Sequence, residues 1–179
     1  MDEVADHGHR GQERGTERPR SGRPRELLQD RAALLLRRAP AAVLTEDEVI
    51  DAVRDFLVSR SWQIVTRATA MQRGDDLVAE RDGERLVIEA KGAGSSKVGT
   101  ARYGNTFNKG QVFDHVGKAV LKAMRVVSAG KHRAGVALPG DAAHRAEVAK
   151  IRAALDRVGV AVFWVDDNHV VRVESPWEP

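Results

Sequence analysis

"DDLVAERDGERLVIEAKG", residues 75–92, holds two extended segments around a single turn. Asp82-Gly83 supplies the left-handed dihedrals of a two-residue hairpin, so the flanking residues read as antiparallel strands. Leu86, Val87, Ile88 and Ala90 favour burial, whereas Glu89 and Lys91 resist it unless partnered. Residues two apart in a strand share a face, which sets Glu89 and Lys91 side by side. Pairing about the turn carries the start of the first strand, Asp75 and Asp76, to the end of the second. An aspartate, a glutamate and a lysine are therefore expected to converge at one end of a sheet.

That convergence has chemical meaning. Two carboxylates a few ångströms apart repel, and a hard divalent cation such as Mg²⁺ relieves the repulsion through oxygen ligands. A lysine beside them can orient a water, help deprotonate it and neutralise charge developing on a phosphate. The set suits metal-assisted phosphodiester hydrolysis. The plain alternative is a surface Glu89–Lys91 pair worth a fraction of a kcal/mol, on the order expected of exposed ion pairs. Alternation groups Asp76 with Val78 and Asp75 with Leu77, so periodicity leaves open which aspartate faces the site.

The flanking sequence sets this hairpin in an α/β domain. Thr45 and Glu48 form a capping box, after which Val49, Ala52, Val53, Phe56 and Leu57 recur at helical spacing. "WQIVTRATA" reads as a strand before the hairpin. Downstream come a helix in "QVFDHVGKAVLKAMRVVS", a strand in "RAGVALP", one helix in "AAHRAEVAKIRAALDRVG", and strands in "VAVFWVD" and "HVVRVE". Early strands joined by tight turns pair antiparallel and later strand–helix–strand steps pair parallel, which predicts a mixed sheet flanked by helices.

Residues 1–24 are rich in Arg, Glu, Gly and Pro, and a disordered tail with incidental histidines is expected there. Residues 25–38, "RELLQDRAALLLRR", place leucines on one stripe and predict a helix that docks on the domain or on a protein partner; Pro40 ends it. The domain proper is expected over residues 45–174.

Composition narrows the field further. A chain of 179 residues with 42% hydrophobic and 31% charged residues can bury one core. Its net charge of +3 permits a polyanionic partner without demanding one. With no cysteine there is neither a disulfide framework nor a thiolate metal site. No apolar run approaches the roughly 20 residues a membrane span needs, and residues 1–15 lack a signal-like segment, so a cytoplasmic protein is expected.

The segment "GDDLVAERDGERLVIEAKG" resembles the signature of the PD-(D/E)xK nuclease superfamily, the restriction-endonuclease-like fold. Junction-resolvase-like and Mrr-like members are among those it resembles. The resemblance spans about residues 45–166, and it implies an αβββαβ core and an endonuclease that hydrolyses DNA with Mg²⁺ or Mn²⁺, leaving 5′-phosphate ends. By the match Asp76, with Asp75 as rival, and Glu89 bind metal, and Lys91 is the catalytic lysine. Some members add a glutamate from the first helix, here Glu48 with Glu46 as alternative, although a capping box already explains Glu48. A glutamine early in the next helix, here Gln111, is implied near the phosphate, and His115 shares its face. The family's proline before the aspartate is absent, since Arg73-Gly74 precedes Asp75. The loop over 92–110, with glycines, Lys97, Arg102, Lys109, Tyr103 and Phe107, suits a phosphate backbone or forms a plain surface loop. It is no P-loop, because glutamine rather than lysine follows Gly110. Cutting both strands with one site per chain calls for a homodimer.

Overall fold

Thr45 opens the first helix as its capping pattern predicts. Its hydroxyl accepts from Glu48 N at 3.3 Å, and Glu48 Oε2 accepts from Thr45 N at 2.7 Å. Helix α1, Glu46–Val58, then buries Val49, Ile50, Ala52, Val53 and Leu57 along one stripe. The computed structural model describes residues 43–68, 74–94 and 105–179. The tail, the helix expected over 25–38 and the middle of the 92–110 loop lie outside them.

Strand β1, Gln63–Arg67, pairs antiparallel with β2, Leu77–Arg81, and β2 pairs antiparallel with β3, Glu84–Ala90. Asp82 (φ 52°) and Gly83 (φ 79°) both take the left-handed conformation, so the turn is of the primed type that matches strand twist. The register runs from Arg81↔Glu84 to Leu77↔Ile88, and one further step sets Asp76 opposite Glu89.

From β3 onward the connections are helical. Helix α2, Lys109–Ser128, crosses to β4, Arg133–Pro139, which pairs parallel with β3. Helices α3, Ala142–Ala149, and α4, Arg152–Val158, lead to β5, Val160–Val165, parallel to β4; β6, Val171–Glu174, closes the sheet antiparallel. Strand order is β1-β2-β3-β4-β5-β6. The single helix expected over 142–158 is two: Ile151 leaves helical geometry (φ −122°, ψ 3°), and Lys150 and Ile151 donate three residues back rather than four. A tightened turn of this kind ends one helix and re-aims the next.

The sheet is covered on both faces. Leu77, Ala79, Leu86, Ile88 and Ala90 pack with α1, Trp62 and Phe163 on one side. On the other, Ala134, Val136, Leu138 and Val162 pack with Val112, Val116, Ala119 and Ala123 of α2 and with Val148 and Leu155. This is a mixed α/β architecture consistent with a restriction-endonuclease-like fold. Because β3, β4 and β5 run parallel, their carboxyl ends gather at one edge, the usual place for a ligand in such sheets. Among the described residues no helix is long and apolar enough to cross a membrane.

Candidate active site

Lys91 follows the last residue of β3 and stands at the centre of a carboxylate cluster. Its Nζ lies 2.7 Å from Glu89 Oε1, 3.2 Å from Glu46 Oε2 and 3.8 Å from Asp76 Oδ2. It also donates to the carbonyl of Ala90. Burial alone would push the Lys91 ammonium down, but the bond to Glu89 and the charges of Glu46, Glu89 and Asp76 outweigh it and the pKa is raised. Lys91 is thus a fixed cation.

Asp76 and Glu89 hold the two sides of the strand pair. Asp76 is 8% exposed, and its Oδ2 accepts from Ala90 N at 2.7 Å, an edge bond of the β2–β3 ladder made by a side chain. Burial, opposed by that N–H and reinforced by the negative charge of Glu89, pushes Asp76 up to about 6. Glu89 is 5% exposed, with one oxygen on Lys91 and the other, Oε2, accepting from Lys122 Nζ at 2.5 Å. Asp75 is exposed, so of the two aspartates it is Asp76 that turns inward.

The first helix contributes Glu46 rather than Glu48. Residues two apart on a helix point to nearly opposite faces, so both cannot reach one site. Glu48 Oε2 takes the N–H and the hydroxyl of Thr45, bonds that lower its pKa, and it is Glu46, the alternative, that reaches Lys91. What brings α1 to β3 is Gly92. A Cβ there would sit 2.6 Å from Glu46 N and 2.9 Å from Leu44 O, and Ala93 N donates to Leu44 O at 2.8 Å. The chain leaving Lys91 presses directly on the start of α1.

Gln111 is not brought into the cluster. It is the third residue of α2, where its Oε1 accepts from Asn108 N and Asn108 Oδ1 accepts from Gln111 N, each at 3.0 Å. This second capping box went unread in the sequence, because Asn108 sits inside the glycine-rich loop. His115, one turn on, is half-buried with its ring 4.2 Å from that of Phe107 and its Nδ1 unpartnered. Burial, with the nearby charge of Lys91, holds its pKa below the usual histidine range. Lys122 is the functional candidate that the sequence reading missed. It flanks the buried Ala119 and Ala123 at the margin of the apolar stripe of α2, where a long stem can run along the core and bring its ammonium to Glu89.

Among the described residues, no three carboxylate or imidazole groups converge as a preformed cage. Asp76 and Glu89 do adjoin, and the raised pKa of Asp76 reflects burial first and then the negative charge of Glu89, both of which a divalent cation would oppose. Two buried carboxylates fit Mg²⁺, which commonly takes one or two from protein and completes its shell with water and phosphate.

Comparisons with known proteins add little to this geometry. No family model matches the chain, and no curated protein matches it. Among solved structures the chain is similar to an XisH family protein from Nostoc punctiforme PCC 73102, at 15% identity over 72% of this chain and 98% of that one, with a TM-score of 0.44.

Proposed function

We propose that this protein is a metal-dependent endonuclease that hydrolyses phosphodiester bonds in DNA within the cytoplasm. The supporting observation is the convergence of Glu46, Asp76 and Glu89 on the ammonium of Lys91, all within 3.8 Å of it. Asp76 and Glu89 would hold Mg²⁺ or Mn²⁺, with Glu46 beside them. When bound, such an ion acidifies a water and offsets charge on the phosphate. Glu89 and Glu46 fix the Lys91 Nζ, and from there the ammonium can orient an attacking water or meet the charge that grows on the phosphate oxygens. Asp76 is held in place by Ala90 N and needs no rearrangement to serve as an oxygen donor. A homodimer would supply a second site for the other strand.

Nicking of supercoiled plasmid with Mg²⁺ or Mn²⁺ tests the proposal. Lys91→Ala and Asp76→Ala are each expected to lower the rate by on the order of 100-fold or more, as removal of a charge-stabilising group does. Wild type and Lys91→Ala nicking at equal rates would end the nuclease reading.

A second reading is favoured by the place of Lys91, which already fills the centre of the cluster, and among the described residues no cage of three ligands is preformed. A cluster neutralised by its own lysine also suits a non-catalytic module of the same fold that binds nucleic acid or a protein partner, the latter through residues 25–38. Calorimetry separates the two, because the module predicts no Mg²⁺ heat, or a heat that Asp76→Ala leaves unchanged.

A further inference from the structure

Glu89 carries a lysine on each carboxylate oxygen, Lys91 on Oε1 at 2.7 Å and Lys122 on Oε2 at 2.5 Å. The two lysines are not equivalent. The side chain of Lys91 is 13% exposed and sits among three carboxylates. That of Lys122 is 46% exposed, and among the described residues Glu89 is its sole carboxylate partner. Next to this contact, Asp75, Glu89, Lys122 and Val126 line a cavity of about 20 Å³, room for about one water. A buried carboxylate with an ammonium group on each oxygen meets a divalent cation only against the repulsion of those charges, so ligation is favoured once one of them leaves. The exposed one, on a flexible four-carbon stem, is free to do so.

We infer that Lys122 is a displaceable counter-ion: it holds Glu89 Oε2 in the free protein and moves to a phosphate of bound nucleic acid, opening that oxygen to a divalent cation. This rests on the nuclease reading and adds a coupling to it. Metal and nucleic acid bind cooperatively, since each removes an obstacle to the other, and the coupling is reciprocal. A phosphate is the fitting ligand because it offers Lys122 a charged oxygen in exchange for the one it gives up. In the free protein the site is guarded, so loosely held metal does not charge it before a substrate is present.

The test is calorimetric titration of Mg²⁺ into the full chain, alone and with a saturating duplex oligonucleotide carrying cleavage-resistant phosphorothioate linkages. For wild type the duplex is expected to tighten Mg²⁺ binding by roughly 10-fold, within the usual range of coupled sites. Lys122→Met keeps the stem and removes the charge; it is expected to bind Mg²⁺ about 10-fold tighter than wild type without duplex and to gain less than about 2-fold from it. Lys122→Arg retains a charge and should retain the coupling, and Lys122→Gln repeats the neutral test should the methionine variant misfold. Unchanged or weaker Mg²⁺ binding in both neutral variants overturns the inference, because Lys122 then merely props Glu89. That result leaves the nuclease reading standing if wild type still binds Mg²⁺. Absence of any Mg²⁺ binding by wild type, with or without duplex, removes both.

Discussion

Asp76 carries its charge at a cost. A carboxyl pushed up to about 6 in the folded chain, from 3.8 in the unfolded one, favours folding with the proton on. Its stabilising effect is complete below pH 3.8 and is lost as the pH climbs through 6. Asp76→Asn has no such dependence and can still accept from Ala90 N. Its stability should therefore rise relative to wild type between about pH 4 and pH 6 and hold that advantage above, by on the order of 1–3 kcal/mol in metal-free buffer. Thermal melts at a series of pH values check this, and a gap that narrows with rising pH contradicts it. The choice between Asp75 and Asp76 was not legible in the sequence for a related reason. Alternation groups Asp76 with Val78 and Asp75 with Leu77, but both faces of β2 are buried there, so the pattern does not say which one carries the site. The Ala90 N–H, left free by the ladder, decides the matter by drawing in one carboxylate.

At the scale of elements, the site depends on how α1 begins. Thr45 fixes the first turn and so fixes the direction of Glu46. Thr45→Ala should cost about 1 kcal/mol, typical for loss of an N-cap, and loosen Glu46 from Lys91. Gly92→Ala is the sharper test. Its new Cβ meets the backbone at 2.6 Å, which no side-chain adjustment relieves. A loss of roughly 1–3 kcal/mol in denaturant melts, the scale of overpacking, is expected together with nicking reduced toward that of Lys91→Ala. Full stability in Gly92→Ala would mean that α1 can retreat without penalty. Both capping glutamate and hairpin glycine were readable, because each acts within a few residues of its partners. Glu46 was only an alternative, because helical phase relative to a distant strand is not a local property. The break at Ile151 was missed for the same cause: residues 142–158 contain no glycine or proline to announce it. On α2 the phase is plain, with Val116 4% exposed and Phe113 64% exposed. Val116→Ser should lower the melting temperature markedly while Phe113→Ser leaves it nearly unchanged.

Across the whole molecule, one sheet serves two cores. Phe163 projects from β5 into the α1 side and lies over Gly135 of β4, where an added Cβ would be 2.9 Å from its ring. Phe163→Ala should cost roughly 3–5 kcal/mol, as buried aromatic truncations do, and both cores should melt in one transition because they share β3, β4 and β5. Two separate transitions would show that the layers are independent. The mixed architecture was legible from turn lengths alone, since a two-residue turn forces antiparallel neighbours and a helical crossover permits parallel ones. Lys122 was not legible, because its meeting with Glu89 needs the depth at which α2 packs on the sheet.

The cluster also has an order of assembly written into its sequence separations. Asp76 and the strand end at Ala90 are 14 residues apart, Lys122 and Glu89 are 33 apart, and Lys91 and Glu46 are 45 apart. Short loops close sooner than long ones. The hairpin therefore faces Asp76 with Glu89 first, while their mutual repulsion is still screened by water. Lys91 comes with the hairpin, whereas Lys122 and the third carboxylate arrive as α2 and α1 dock. A chain stalled before α2 docks holds Glu89 with only one of its two lysines. The cluster is therefore complete only once both helices are in place.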